Sequence, residues 1–160
     1  MTIKLISSAF AHGQPIPQKY TGEGVDVSPP LCWSELPKGA KELALICDDP
    51  DALTKEPWVH WVIYKIPATA AGLPEGIPRR AHLTDPPGAL QGKNSWLGPG
   101  MIGYRGPFPP LGHGVHHYYF RLYALELQIV IEAGLDKKTV LNMIGDHVLG
   151  EGVLMGTYRR

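Results

Sequence analysis

The residues with chemistry to offer stand at the ends of apolar runs: Asp49 and Asp51 close one run, His60 lies early in the next, and His116 and Tyr118 open another. Imidazole N–H and phenol O–H groups donate hydrogen bonds to oxyanions, and imidazole gains a proton near neutral pH, so this set suits a phosphoryl group without any Lys or Arg. A carboxylate repels an anion, which leaves Asp49 two compatible roles. It fixes the tautomer and raises the basicity of an imidazole, or it accepts a cationic group of the ligand. Read alone, the Asp-Pro-Asp turn would simply cap backbone N–H groups after a strand.

The elements that must carry these groups are mostly strands. Apolar runs at 3–7, 43–48, 58–66, 118–126 and 153–158 are separated by Gly and Pro clusters, which predicts short strands joined by ordered loops in a mainly β fold, a β-sandwich. Period-two alternation places Leu45, Cys47 and Asp49 on one face and His60 in line with Val62 and Tyr64. It also puts His116 with Tyr118, Phe120 and Leu122, opposite His117, Tyr119, Arg121 and Tyr123. One helix near the C-terminus is predicted over 137–149, capped by Asp136, with Val140, Leu141, Ile144 and Val148 at helical spacing and Gly150 as its stop. The Gly- and Pro-rich stretch from Gly92 to Gly114 is too long for an ordinary connection and too aromatic for a linker, so it is expected to wall the pocket. Its Gly106–Pro110 part is a candidate for a cis X-Pro bond.

A chain of 160 residues with 44% hydrophobic and 19% charged residues is read as one domain spanning 1–160. Its formal charge of zero gives no field to hold nucleic acid or an anionic membrane. The first residues lack the pattern of a secretory signal, so a cytoplasmic location is expected, and no apolar run reaches the roughly 18 residues of a membrane span. Cys32 and Cys47 both lie in apolar sequence and are expected to be reduced and buried. Two His and a carboxylate also fit a facial iron triad, but a tight His/Cys pair of zinc spacing is missing, so no metal or cofactor is expected. Ser28, Ser34 and Ser95 sit in no nucleophile elbow, which favours a non-catalytic protein over a hydrolase. His12, His82, His113, His117 and His147 are assigned no function.

At these residues the chain resembles the phosphatidylethanolamine-binding protein family, particularly its small bacterial and archaeal, Raf kinase inhibitor-like members. The resemblance rests on Asp49-Pro50-Asp51-Ala52-Leu53 followed by Trp58-Val59-His60-Trp61, and on Gly114-Val115-His116-His117-Tyr118. Further matches run from Val27 to Trp33, Gly92 to Trp96, Gly103 to Pro110 and Gly156 to Tyr158. It implies a Greek-key β-sandwich with few helices and a pocket for phosphate-like anions, such as a phosphoethanolamine head group or another phosphorylated ligand. By motif position the ligand-binding residues would be Asp49, His60, Tyr104, Gly106, Pro109, Pro110, His116 and Tyr118, with Asp51 supporting the turn. The resemblance also extends to inhibitors of kinases and serine proteases acting through loops around the pocket, and to a homodimer. Leu53 stands where the family motif has Pro, His117 where Arg is common, and Phe108 where a smaller residue is expected.

Overall fold

The computed structural model describes residues 2–160. Three short strands, β1 (Lys4–Ile6), β2 (Leu31–Ser34) and β5 (Gly72–Leu73), form one antiparallel sheet in the order β1-β2-β5. The other sheet holds β3 (Glu42–Asp49), β4 (Trp58–Pro67), β6 (Leu90–Gln91), β7 (His116–Leu125) and β8 (Val148–Tyr158) in the order β6-β4-β3-β7-β8. Strand β7 pairs with β3 only after the long excursion through 68–115, so the order is of Greek-key type.

Burial explains the layering. All eight residues of β3 are buried, as expected of a central strand covered on both faces. One core fills the space between the sheets, where Leu5, Leu31, Trp33 and Leu73 meet Leu43, Leu45, Trp61, Phe120 and Leu122. A second core, built from Ala44, Ile46, Val62, Tyr64 and Leu125, lies on the far face of the larger sheet beneath α1 (Lys137–Ile144). The molecule is therefore a mainly β sandwich with one α-helix near its C-terminus. None of its described helices is long and apolar enough to cross a membrane.

The expected strands are all present, but β8 begins at Val148. The helix starts as expected, with the Asp136 carboxylate accepting the Thr139 N–H at 2.9 Å. It ends at Ile144 and tightens into a 3-10 turn over Gly145–His147. Val148 and Gly150 thus belong to a strand and pair with Leu125 and Ala124, contrary to the sequence reading. Helical spacing is a local signal, and the ladder offered by β7 outweighs it. Strands β2, β5 and β6 escaped the reading because two to four residues show no period. Cys32 is likewise exposed rather than buried, because β2 turns Leu31 and Trp33 inward and Cys32 outward. The cis bond is Asp85–Pro86, outside the Gly106–Pro110 segment.

One irregularity places the candidate site. Cys47 pairs with Trp61 but Asp48 pairs with Val59, so β4 carries His60 as an extra residue, a β-bulge. His60 therefore leaves the Val62 and Tyr64 face and joins the side of Tyr118, correcting the strict alternation expected from the sequence.

Candidate functional site

The bulge of β4, the end of β3 and the start of β7 converge on a cavity of about 270 Å³. Asp49, His60, His116 and Tyr118 form its polar floor. Its walls are Ala52, Leu53 and Thr54 from the β3–β4 connection, Trp58 from β4, and Trp96, Phe108, Pro109 and Pro110 from the long loop before β7. That loop walls the cavity because it is tied down internally. The Asn94 amide donates to the Gly100 and Gly103 carbonyls, both at 2.9 Å, and its oxygen accepts the Trp96 N–H at 3.0 Å.

Each floor residue is held by a specific partner. The Asp49 carboxylate, 4% exposed, accepts the Asp51 N–H at 2.8 Å through one oxygen and the His116 ring at 2.6 Å through the other. An ionised carboxylate only accepts, so His116 carries its proton on Nδ1 and presents Nε2 as a lone pair. That Nε2 meets Nδ1 of His113 at 2.5 Å. His60, 3% exposed, directs Nδ1 at the Arg105 carbonyl, 2.6 Å away, while the Arg105 N–H donates back to the His60 carbonyl at 3.0 Å. Its ring stands edge-on to Trp96 and to Tyr118, each at 5.1 Å between centroids. Trp58 packs edge-on against Trp96 at 5.4 Å.

Burial sets the electrostatics. It pulls the His60 imidazole below its ordinary range, more strongly than the Arg105 carbonyl and the Asp49 charge raise it. Burial and the nearby Asp49 carboxylate push the Tyr118 phenol up, so its hydroxyl stays protonated and able to donate. Burial also drives the Cys47 thiol well up, aided by Asp48, which leaves no thiolate to act as a nucleophile. His, Cys, Asp and Glu side chains among the described residues form no cluster of three that fits a metal ion.

The sequence-predicted residues do not all reach the cavity. Asp49, His60, Pro109, Pro110, His116 and Tyr118 line it, whereas Tyr104 and Gly106 lie behind its wall. The buried Tyr104 hydroxyl is spent on the Tyr20 carbonyl at 2.6 Å, and its ring packs on Trp61, so it offers nothing to a ligand here. Gly106 donates its N–H to Asp26 at 2.7 Å, and a Cβ there would lie 2.0 Å from the Tyr20 carbonyl oxygen. Close backbone packing, rather than ligand contact, requires this glycine. Asp51 braces the turn from outside: one of its oxygens accepts both the His117 N–H at 2.9 Å and the His117 ring at 2.7 Å. An imidazole thus fills the place where Arg is common. Burial alone would raise the Asp51 carboxyl, but the hydrogen bonds and charge of His117 hold it below its ordinary value. Phe108 and Leu53, the other departures, form the apolar rim.

The chain matches the family model described as phosphatidylethanolamine-binding protein over residues 6–159. The chain belongs to the phosphatidylethanolamine-binding protein family. It is 49% identical to a UPF0098 protein of Methanothermobacter thermautotrophicus over 158 residues, covering 99% of each chain. Among solved structures, it is similar to Escherichia coli YbcL, described as a new member of the mammalian PEBP family, with a TM-score of 0.90 and 32% identity across 100% of this chain and 99% of that one. The phosphatidylethanolamine-binding protein homologue CT736 of Chlamydia trachomatis superposes with a TM-score of 0.86 at 38% identity, covering 99% and 98% of the two chains.

Sequence reasoning passed over Trp58 and His113, whereas Trp96 lies in the aromatic stretch 92–114 expected to wall the pocket. Trp58 had no spacing to mark it as a pocket wall, since it comes from a separate segment. His113 gave one faint signal, lying three residues before His116 in a Gly-flanked turn.

Proposed function

We propose that this member of the phosphatidylethanolamine-binding family is a non-catalytic binding protein whose pocket takes a phosphoryl group, free or on a small head group such as phosphoethanolamine. The observation that carries the reading is the polar floor: two buried imidazoles with Nδ1 already committed, a phenol with no protein partner among the described residues, and a fixed carboxylate behind one ring. No nucleophile faces the cavity in an activated form, which favours binding over hydrolysis.

The committed Nδ1 atoms give the site its pH behaviour. A neutral His60 offers only a lone pair at Nε2, so it meets a protonated phosphoryl oxygen but not a fully ionised one. Once protonated it becomes a charged donor, roughly twice as effective as a neutral one. Because burial holds His60 below its ordinary value of about 6.5, phosphate affinity should rise as pH falls below that value. A cavity of about 270 Å³ lies just below the roughly 300–1,000 Å³ of ordinary small-molecule pockets, which favours a head group over acyl chains.

The test is a titration of phosphoethanolamine and of inorganic phosphate near pH 6, following the histidine ring signals by NMR, with His60→Ala and His116→Ala as controls. Saturable shifts at both rings, lost in each variant, are expected. Binding of both probes with equal strength would assign the site to the phosphoryl group alone. Absence of shifts with either probe would discard the anion pocket in favour of a protein-contact surface acting through the rim loops.

A further inference from the structure

The turn Pro110–Gly114 brings an exposed imidazole onto the buried His116. His113 Nδ1 lies 2.5 Å from His116 Nε2, on the far side of the ring from Asp49. With a neutral His116 donating its Nδ1–H to Asp49, the His113 contact closes with His113 donating from its own Nδ1. The result is a chain of a carboxylate and two imidazoles, Asp49–His116–His113, running from a buried end to an exposed one. The nitrogen that a ligand in the pocket would use on His116 is thus already occupied.

We propose that His113 is a specificity-determining placeholder: it caps His116 Nε2, and a group that takes that nitrogen must displace it. The turn is built to let go. His113 stands between Gly112 at φ 73° and Gly114 at φ 96°, a left-handed backbone that glycine adopts without strain, and its own N–H reaches Pro110 O at a long 3.2 Å. The wall beside it is held more firmly than the turn, which shares its anchor only through the Gly112 N–H, 3.2 Å from the Arg160 carbonyl. Arg160 donates to the Pro109 carbonyl at 2.6 Å and lies 3.8 Å over the Phe108 ring, so His113 can swing out while Phe108 to Pro110 stay in place. Displacement returns an exposed ring to water and exchanges one hydrogen bond for another, a small net change. The exchange also selects the ligand. Whatever replaces His113 must bring a hydrogen to Nε2, as a protonated phosphoryl oxygen does, or must arrive with a proton that turns His116 into a donor.

The phosphate arm of the test rests on the proposed phosphoryl reading, and a second arm does not. Diethyl pyrocarbonate acylates a free imidazole lone pair, so its rate at His116, read by peptide mass spectrometry, reports whether Nε2 is capped in the ligand-free protein. His113→Ala should raise that rate about fivefold, the worth of one ordinary hydrogen bond, while the rate at His60 in the same cavity stays unchanged. His113→Asn, whose amide N–H stands near the position of the imidazole Nδ1, should restore the cap to within about twofold of the starting protein. Inorganic phosphate should bind His113→Ala about fivefold more tightly than the parent. An unchanged His116 rate in His113→Ala, or equal acceleration at His60, would overturn the cap. Weaker phosphate binding in His113→Ala would overturn the placeholder role and make His113 a ligand group. Phosphate binding to neither protein, with the His116 rate still raised, would keep the cap and remove the phosphoryl reading.

Discussion

Asp48 and Asp49 are neighbours at the end of β3, both nearly fully buried, and they solve the cost of burial in different ways. Asp48 points to the helix side of the sheet and meets two basic side chains, Lys137 at 2.5 Å and Arg121 at 3.0 Å. Asp49 points to the cavity and meets a backbone N–H and an imidazole. A buried carboxylate must be paired in either case. Pairing with a lysine and an arginine makes a structural clamp between α1, β3 and β7. Pairing with an imidazole leaves a partner that offers a second nitrogen, and that arrangement stands on the floor of the cavity. The difference between a fold-holding carboxylate and a site carboxylate therefore lies in the partner, since the residue type and burial are the same.

The largest expected effect separates the two. Asp48→Ala strands two cations that are themselves partly buried, and should cost about 3 kcal/mol, a fall in Tm of roughly 6–12 °C for a chain of this size, with phosphate affinity unchanged. Asp49→Asn keeps the shape but removes the charge behind His116. It should cost about 2 kcal/mol in stability and weaken phosphate at pH 6 by about tenfold or more, measured by calorimetric titration. Equal destabilisation with binding intact in both variants would break the comparison and make Asp49 a second clamp.

The pH dependence sharpens it. Burial holds the His60 imidazole below its ordinary range, so the unfolded chain binds a proton that the folded one refuses. Stability from this group is full above the unfolded value of about 6.5 and is lost progressively as pH falls below it. Tm measured against pH should show that decline, His60→Gln should flatten it, and phosphate should oppose it by favouring the protonated ring. The smallest effect belongs to the brace. His117→Ala removes an exposed partner of Asp51 and should cost less than about 1 kcal/mol, seen as a Tm change of a few degrees at most. The same variant should let the Asp51 carboxyl titrate nearer its ordinary value. The stability that Asp51 contributes is present above the unfolded value of about 3.9 and is lost as pH falls through its depressed folded value.

Much of this protein is written locally. The apolar runs, the Asp136 cap and the strand parity of His116 and Tyr118 follow from side-chain type and spacing, because hydrophobic period and capping act over a few residues. Family motifs pointed to six of the residues that line the cavity. What the sequence could not supply depends on partners far along the chain. The bulge that turns His60 toward Tyr118 exists only because β3 fixes the register on both sides of it. The end of α1 is decided by the ladder of β7, and the fate of Tyr104 by a carbonyl 84 residues away. The meeting of His113 with His116 is set by how a turn folds back on a strand. Sequence by itself determined which groups were available and which face most of them occupied. Tertiary structure decided which hydrogen bonds each one had already spent, and that decides what remains for a ligand.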